Sequence, residues 1–308
     1  MRRSLETPAR FTGTGLHGGA RVRATVHPAD TGTGIRFRIG GRGSAAGEIP
    51  ARFDRVTDTR LCTRLGDGDA SIGTVEHLMA ALAGAGVDDA LVVVDGAEIP
   101  IMDGSARGFL EGLVDAGFDD RGEGLRPAIR ILAPVEVVDG EKRARLEPAN
   151  AFSLSFAIDF ADPAIGRQAL ALELTGNGFA EELADCRTFG HLSEVEELRC
   201  LGLARGGGLD NAVVVDRGRV LNPGGLRRPD EFVRHKILDA VGDLALAGAP
   251  IVGRYVAERS GHGMTNRLLR ALFDRPDAWE WTTAGPDRLP GGAVRLPPAA
   301  EPATACAG

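Results

Sequence analysis

The chain has 308 residues, enough for two domains with cores of their own. Hydrophobic residues make up 43% and charged residues 26%, as in a soluble globular protein. A formal net charge of −7 argues against general nucleic-acid binding, which needs a basic footprint, and leaves anionic ligands only a local basic site. No apolar run approaches the ~18 residues of a membrane span, and the opening Met1-Arg2-Arg3-Ser4-Leu5-Glu6 lacks the apolar core of a signal peptide. Cys62, Cys186, Cys200 and Cys306 show no C-x-x-C spacing and are read as free thiols in a reducing compartment, the cytoplasm.

Strand-like segments at 21–26 and 34–38 come first. Apolar spacing then predicts a helix over 72–83, containing Thr74-Val75-Glu76-His77, a buried β-branched strand over 89–94 and an amphipathic helix over 105–116. The polar Gly/Pro stretch at 121–127 marks a boundary between an N-terminal domain, 1–125, and a C-terminal domain, 126–284. Alternation at 130–138, 142–148 and 152–160 predicts antiparallel strands. Between 193 and 215 lie a helix-like segment, the run Gly206-Gly207-Gly208 and a strand over 211–215. A helix over 231–247, a strand-like run over 251–258 and a helix over 264–273 repeat the order of the first half, each copy opening with V-x-H. That order suggests an internal duplication, with two histidines facing across a pseudo-two-fold cleft that a monomer is enough to build; a monomer is the expectation, though the sequence does not fix the oligomeric state. The fold class is α+β: two duplicated domains, each a mainly antiparallel sheet against a pair of helices, with the site in the cleft between them. The Gly-, Pro- and Ala-rich stretch at 285–308 is predicted to be a poorly ordered tail.

The most informative turn is His235-Lys236-Ile237-Leu238-Asp239. A helix repeats every ~3.6 residues, so His235 and Asp239 project together, with Asp243 one turn further on the same stripe. An isolated H-x-x-x-D is most often a solvated helix face. Here, however, 36 cationic residues include only two lysines, Lys142 and Lys236. A lysine beside a His/Asp pair, in a chain that otherwise uses arginine, suggests a compact ammonium chosen for its geometry.

Seven ordered motifs carry a resemblance. These are G-T-G-L-H-G-G at 13–19, T-V-E-H-L at 74–78, E-I-P-I-M-D-G-S-A at 98–106, R-T-F-G at 187–190, L-D-N-A at 209–212, F-V-R-H-K-I-L-D at 232–239 and S-G-H at 260–262. Together they resemble the UDP-3-O-acyl-N-acetylglucosamine deacetylases, zinc hydrolases that perform the committed step of lipid A synthesis in Gram-negative bacteria. The resemblance covers nearly the whole chain except the tail. A small departure is Gly18-Gly19, where the family more often has a hydroxyl residue before the glycine.

The resemblance implies that His77, His235 and Asp239 are zinc ligands, leaving an open position for water. A His/His/carboxylate set accepts ferrous iron as well. It implies Glu76 as general base, His262 as a cationic histidine held protonated by Asp243, Thr188 as an oxyanion contact and Lys236 beside the centre. Lys142 and Lys236 fall on positions that contact phosphate, Asp159 and Phe160 on the uridine site, and Phe189 against the sugar and acetyl group. Val195, Ala204, Gly208 and Val214 fall on the lining of an apolar acyl-chain passage, Leu61 and Cys62 near its mouth, and His17 beside the site without ligating. His27 and His191 receive no role and are expected at the surface. The implied partner is a UDP-linked acylated glucosamine, with transient membrane-surface contact through that acyl substrate and no nucleic acid. Two other classes compete. A non-catalytic metal or nucleotide-sugar binder is disfavoured because Glu76 and His262 are both present, and a nucleotide-dependent transferase or kinase because no G-x-x-x-x-G-K-[ST] cradle occurs.

Overall fold

The computed structural model describes residues 1–40 and 47–298. Strands of the first large sheet are β1 (Ala9–Thr14), β2 (Arg21–Pro28), β3 (Ile35–Ile39), β4 (Glu48–Pro50) and β5 (Ala90–Val94). In space they run β1-β2-β5-β3-β4, antiparallel throughout except where β5 lies parallel to β3. The second sheet takes β6 (Val135–Asp139), β7 (Lys142–Glu147), β8 (Ser153–Asp159), β9 (Arg167–Glu173) and β10 (Arg254–Glu258). Its order is β6-β7-β10-β8-β9, again antiparallel apart from one parallel pair, β10 with β8. The two sheets therefore share one topology down to the position of their single parallel pair, and the duplication suggested by the sequence is present in the fold.

Among the described residues six α-helices accompany them: α1 (Glu76–Ala85), α2 (Arg107–Asp115), α3 (Gly178–Glu182), α4 (Leu192–Cys200), α5 (Glu231–Ala245) and α6 (His262–Phe273). In β2, Val22, Ala24 and Val26 are buried while Arg21 and Arg23 are exposed, the two-residue alternation of a sheet with one covered face. In α6, Met264, Leu268, Leu269 and Leu272 turn inward and Arg267 and Arg270 outward. α1 differs, being buried nearly all round because it is held against both α2 and α5. Leu78, Met79 and Leu82 are at most 2% exposed, and each such burial stabilises by roughly 1.5–3 kcal/mol. α1 ends at Gly86, whose φ of 74° supplies the left-handed turn that a β-carbon disfavours. A single hydrophobic cluster runs from Leu5 to Leu289 through both halves.

Several boundaries depart from expectation for local reasons. The first helix starts at Glu76 rather than 72, because Ile72 ends the strand Ala70–Ile72 and Thr74 sits at a φ of 56°. The run 130–138 divides at Pro134 into Arg126–Ile131 and β6, proline having no ladder donor. The run 251–258 divides at Gly253, where a β-carbon would come within 2.6 Å of the Ile131 side chain and the chain passes from one sheet to another. The expected boundary at 125/126 falls between Phe118–Arg121, paired with Arg2–Leu5, and Arg126–Ile131. Residues 285–298, expected to be poorly ordered, run against the body. Leu289 is fully buried, the Pro290 carbonyl accepts from Arg126 at 2.8 Å, and Gly291 lies against Gly86. Their glycines serve close approach rather than disorder. The remainder of that predicted tail, 299–308, lies outside the described residues.

Candidate active site and metal centre

The two V-x-H helices meet along their lengths. Gly242 makes this possible, since a β-carbon there would sit 2.0 Å from the Glu76 carbonyl oxygen. That close crossing brings the first turn of α1 beside the middle of α5. Nε2 of His77 lies 3.5 Å from Asp239 Oδ1, and Nε2 of His235 lies 3.3 Å from the same oxygen. All three side chains are buried, and their donor atoms lie within 4.8 Å of one another. Ligands held at ~2.0–2.1 Å from a tetrahedral ion stand about 3.3 Å apart, so the two Nε2-to-oxygen separations fit a zinc-type centre. The His235 ring is oriented from behind, its Nδ1 lying 3.1 Å from the Cys186 carbonyl, which leaves the Nε2 lone pair facing the cluster. Burial pushes His235 down to about 3, so it stays neutral and able to ligate.

Lys236 donates to Asp239 Oδ2 at 2.7 Å, leaving Oδ1 as the oxygen that faces both histidines. Burial works to raise the Asp239 carboxyl, but His235 and Lys236 hold it well below the ordinary range. Glu76 occupies the first position of α1, its carboxyl raised by burial against the opposing pull of His262 and His77. His262 begins α6, its Nδ1 2.8 Å from Asp243 Oδ2. Burial opposes its charge, yet Asp243 prevails, with Glu76 and Asp239 adding to it, and His262 is raised to about 9. At neutral pH it is a cation facing a carboxylate of elevated pKa across one cavity.

That cavity has a volume of about 640 Å³ and is lined by Glu76, His77, His235, Lys236, Asp239 and His262, together with Leu61, Phe160, Thr188 and Phe189. The R-T-F-G segment is anchored through Glu231, which is fully buried and accepts from the Arg187 backbone N–H, the Arg187 guanidinium and the Arg227 backbone N–H. This sets Thr188 at the cavity wall and the Phe189 ring between Phe160, at a centroid distance of 5.5 Å, and His235, at 6.2 Å.

Other expected residues stand further back. Asp159 and Lys142 are exposed and outside the lining. Arg259 bonds both Asp159 and Glu141, which gathers them at one corner next to Phe160. Cys62 is buried behind Leu61, its thiol pushed up to about 12 by burial and by the nearby Glu76, as an inert packing group would be. Val195 on α4 packs toward Gly190. Ala204, Gly208 and Val214 belong to the neighbouring insert, which Gly206 ties to the loop at Leu16 by an N–H donated to the Leu16 carbonyl at 3.0 Å. Ala204 and Val214 are buried, and none of the four reaches the cavity wall. His17 is buried beside Glu98, whose carboxylate accepts from the His17 and Gly18 backbone N–H groups. His191, expected at the surface, lines the cavity with its Nε2 3.1 Å from Asp162, because the strand Phe189–His191 pairs with Val213–Asp216 and carries it there.

Among the residues of the site region to which the sequence assigns no role are Asp162, Glu98 and Thr63. Asp162 and Glu98 hold loops around the site. Thr63, only 2% exposed, donates its backbone N–H to Glu76 Oε2 at 3.0 Å and its hydroxyl to Asp243 Oδ1 at 2.5 Å. The tripeptide Cys62-Thr63-Arg64 carries no pattern that advertises such a contact.

A family model described as UDP-3-O-acyl N-acetylglycosamine deacetylase matches residues 2–274. The UDP-3-O-acyl-N-acetylglucosamine deacetylase of Phenylobacterium zucineum is 52% identical over 285 residues, spanning 92% of this chain and 97% of that protein. Proteins of the same name from Teredinibacter turnerae and Acidithiobacillus ferrooxidans are 48% and 47% identical, over 91% and 94% of this chain and 93% and 95% of their own lengths. A match of that extent, on a fold whose paired helices gather the expected residues into one cavity, makes this chain a member of the UDP-3-O-acyl-N-acetylglucosamine deacetylase family.

Proposed function

We propose that this chain hydrolyses the acetamide of UDP-3-O-[(3R)-3-hydroxyacyl]-N-acetylglucosamine to the free amine and acetate, the committed step of lipid A synthesis. It does so in the cytoplasm, as a monomer, with zinc, or ferrous iron where that is more available, held by His77, His235 and Asp239. The observation that carries this reading is the convergence of these three donors with Glu76 and a protonated His262 on one cavity. A divalent metal bound there supplies a Lewis acid and acidifies water.

The chain's own groups do the rest. Glu76, with its raised carboxyl, takes a proton from the attacking water as the C–O bond forms. His262 faces the oxyanion as a cation and then gives its proton to the amine nitrogen as the C–N bond breaks; Glu76 afterwards releases the proton it took, and His262 is recharged by a proton from solvent, which Asp243 favours. Thr188 contributes to the oxyanion environment from the cavity wall, and Lys236 keeps Asp239 ionised and oriented. Phe160, 41% exposed at the edge, stacks on uracil, with Asp159 and Lys142 at the same corner meeting ribose and phosphate. Phe189 flanks the sugar, with His17 behind the site. The insert bearing Val195, Ala204, Gly208 and Val214 receives the acyl chain, entered past Leu61 and Cys62.

The test is acetate release from the acylated UDP-sugar by purified protein, with chelator and then zinc. Release that chelator removes and zinc restores is expected. Absence of release with metal bound would reject the reading in favour of a binding protein.

A further inference from the structure

The two proton-handling groups belong to different halves of the molecule, Glu76 to α1 and the His262–Asp243 pair to α6 and α5. Proton transfer falls off steeply with misplacement, so their relative position needs fixing more tightly than helix packing alone provides. We propose that Thr63 is the positioning residue that sets the base and the acid against each other. The proposal rests on the reading that Glu76 and His262 move the protons.

Thr63 binds both sides at once. Its backbone N–H holds Glu76 Oε2 at 3.0 Å, and its carbonyl accepts from Val75 N–H at 3.4 Å, just ahead of α1. Its hydroxyl holds Asp243 Oδ1 at 2.5 Å, while the other Asp243 oxygen meets His262 Nδ1 at 2.8 Å. The result is a continuous hydrogen-bonded chain from Glu76 through Thr63 and Asp243 to His262. Every side chain in it is at least nine-tenths buried apart from His262, at 11% exposed. A hydrogen bond to a carboxylate in such surroundings is short, strong and directional. Thr63 does not line the cavity, so it acts through its partners and not on substrate.

The division of labour within Thr63 makes the idea testable. Thr63→Val keeps the β-branched shape and the N–H to Glu76 and deletes only the hydroxyl. kcat is expected to fall about 10- to 100-fold, the worth of a hydrogen bond to a charged group. KM and metal content are expected to remain unchanged. Thr63→Ser, which restores the hydroxyl, is expected to return kcat to within about threefold of the parent. In ¹⁵N-labelled protein, the His262 Nδ1–H resonance is expected to move or broaden in Thr63→Val and to return in Thr63→Ser.

Wild-type kcat and an unmoved resonance in Thr63→Val would overturn the proposal, as would equal losses in the Val and Ser variants. Should Thr63→Val fail to fold, the serine variant and the native protein still decide. A slowly exchanging hydroxyl proton at position 63, from threonine in the native protein and from serine in the variant, is expected in both, and rapid exchange would overturn the proposal. Glu76→Gln and His262→Ala, run alongside, separate the two levels. If neither lowers turnover, the reading of the site fails; if both do and Thr63→Val does not, only the role of Thr63 fails.

Discussion

At the residue scale, the proposed chemistry rests on two titratable groups that are both raised above their ordinary values, by different causes. Glu76 is made more basic by burial, and His262 is kept acidic-side charged by Asp243, with Glu76 and Asp239 also facing it. Glu76→Gln is expected to lower kcat by about 10²- to 10⁴-fold while retaining metal, read by turnover and metal analysis. Because His262 must carry its proton, kcat/KM is expected to fall on the alkaline side as pH passes about 9, and Asp243→Asn to move that limb toward neutrality. The sign for stability agrees. A histidine raised from 6.5 to about 9 contributes stability that is fully present below pH 6.5 and is lost as pH rises through 9. The His235/Asp239 pair is legible in the sequence, since i,i+4 spacing alone puts both on one face, whereas His77 and Glu76 join it only through the family resemblance. Thr63 was not legible, because its hydroxyl partner lies 180 residues away and a threonine before a strand has no signature.

At the element scale, the site depends on how closely α1 and α5 approach. Gly242→Ala would place a methyl 2.0 Å from the Glu76 carbonyl oxygen, and backbone cannot yield as a flexible side chain does. Overpacking of this kind costs about 1–3 kcal/mol. Here it also pushes His77 away from His235 and Asp239. The expected outcome is a melting temperature lower by several degrees together with weaker metal binding, measured by calorimetry and metal titration. A change in stability with unaltered metal affinity would mean that the helices part elsewhere. Helix existence was readable from apolar spacing, but the start of α1 was not. The turn at Thr74, with φ at 56°, is a left-handed residue that is not glycine, and tertiary contacts impose it. The glycine and proline breaks at Gly253 and Pro134 were visible as letters, although their consequence, a change of sheet at Gly253, required the long-range pairing.

At the scale of the whole molecule, duplication explains why a site of this complexity can be built in one chain. Each half contributes a sheet, a V-x-H helix and a following helix, and the group that could hold a metal takes one histidine from the first and a His/Asp pair from the second. A metal bound only in the folded state therefore clamps the halves. Added zinc is expected to raise the melting temperature of the chelator-stripped protein in a concentration-dependent way, and His77→Ala to abolish both that shift and turnover. A persistent shift in His77→Ala would move the metal elsewhere. The insert illustrates what pattern reading loses at this scale. α4 has no buried residue, so its helical periodicity says nothing about what it packs beside.

The crossing of α1 on α5 also has a temporal meaning. His77 and Asp239 are separated by about 160 residues of chain, which a ribosome adds in roughly 8–30 s at ~5–20 residues per second. For that interval the nascent first half carries an α1 whose Leu78, Met79 and Leu82 lack the α5 surface on which the finished molecule seats that helix. The candidate metal-binding group is thus assembled only once most of the polypeptide exists, and the long wait with an unseated apolar helix marks the stage of biogenesis at which a chaperone would have most to cover.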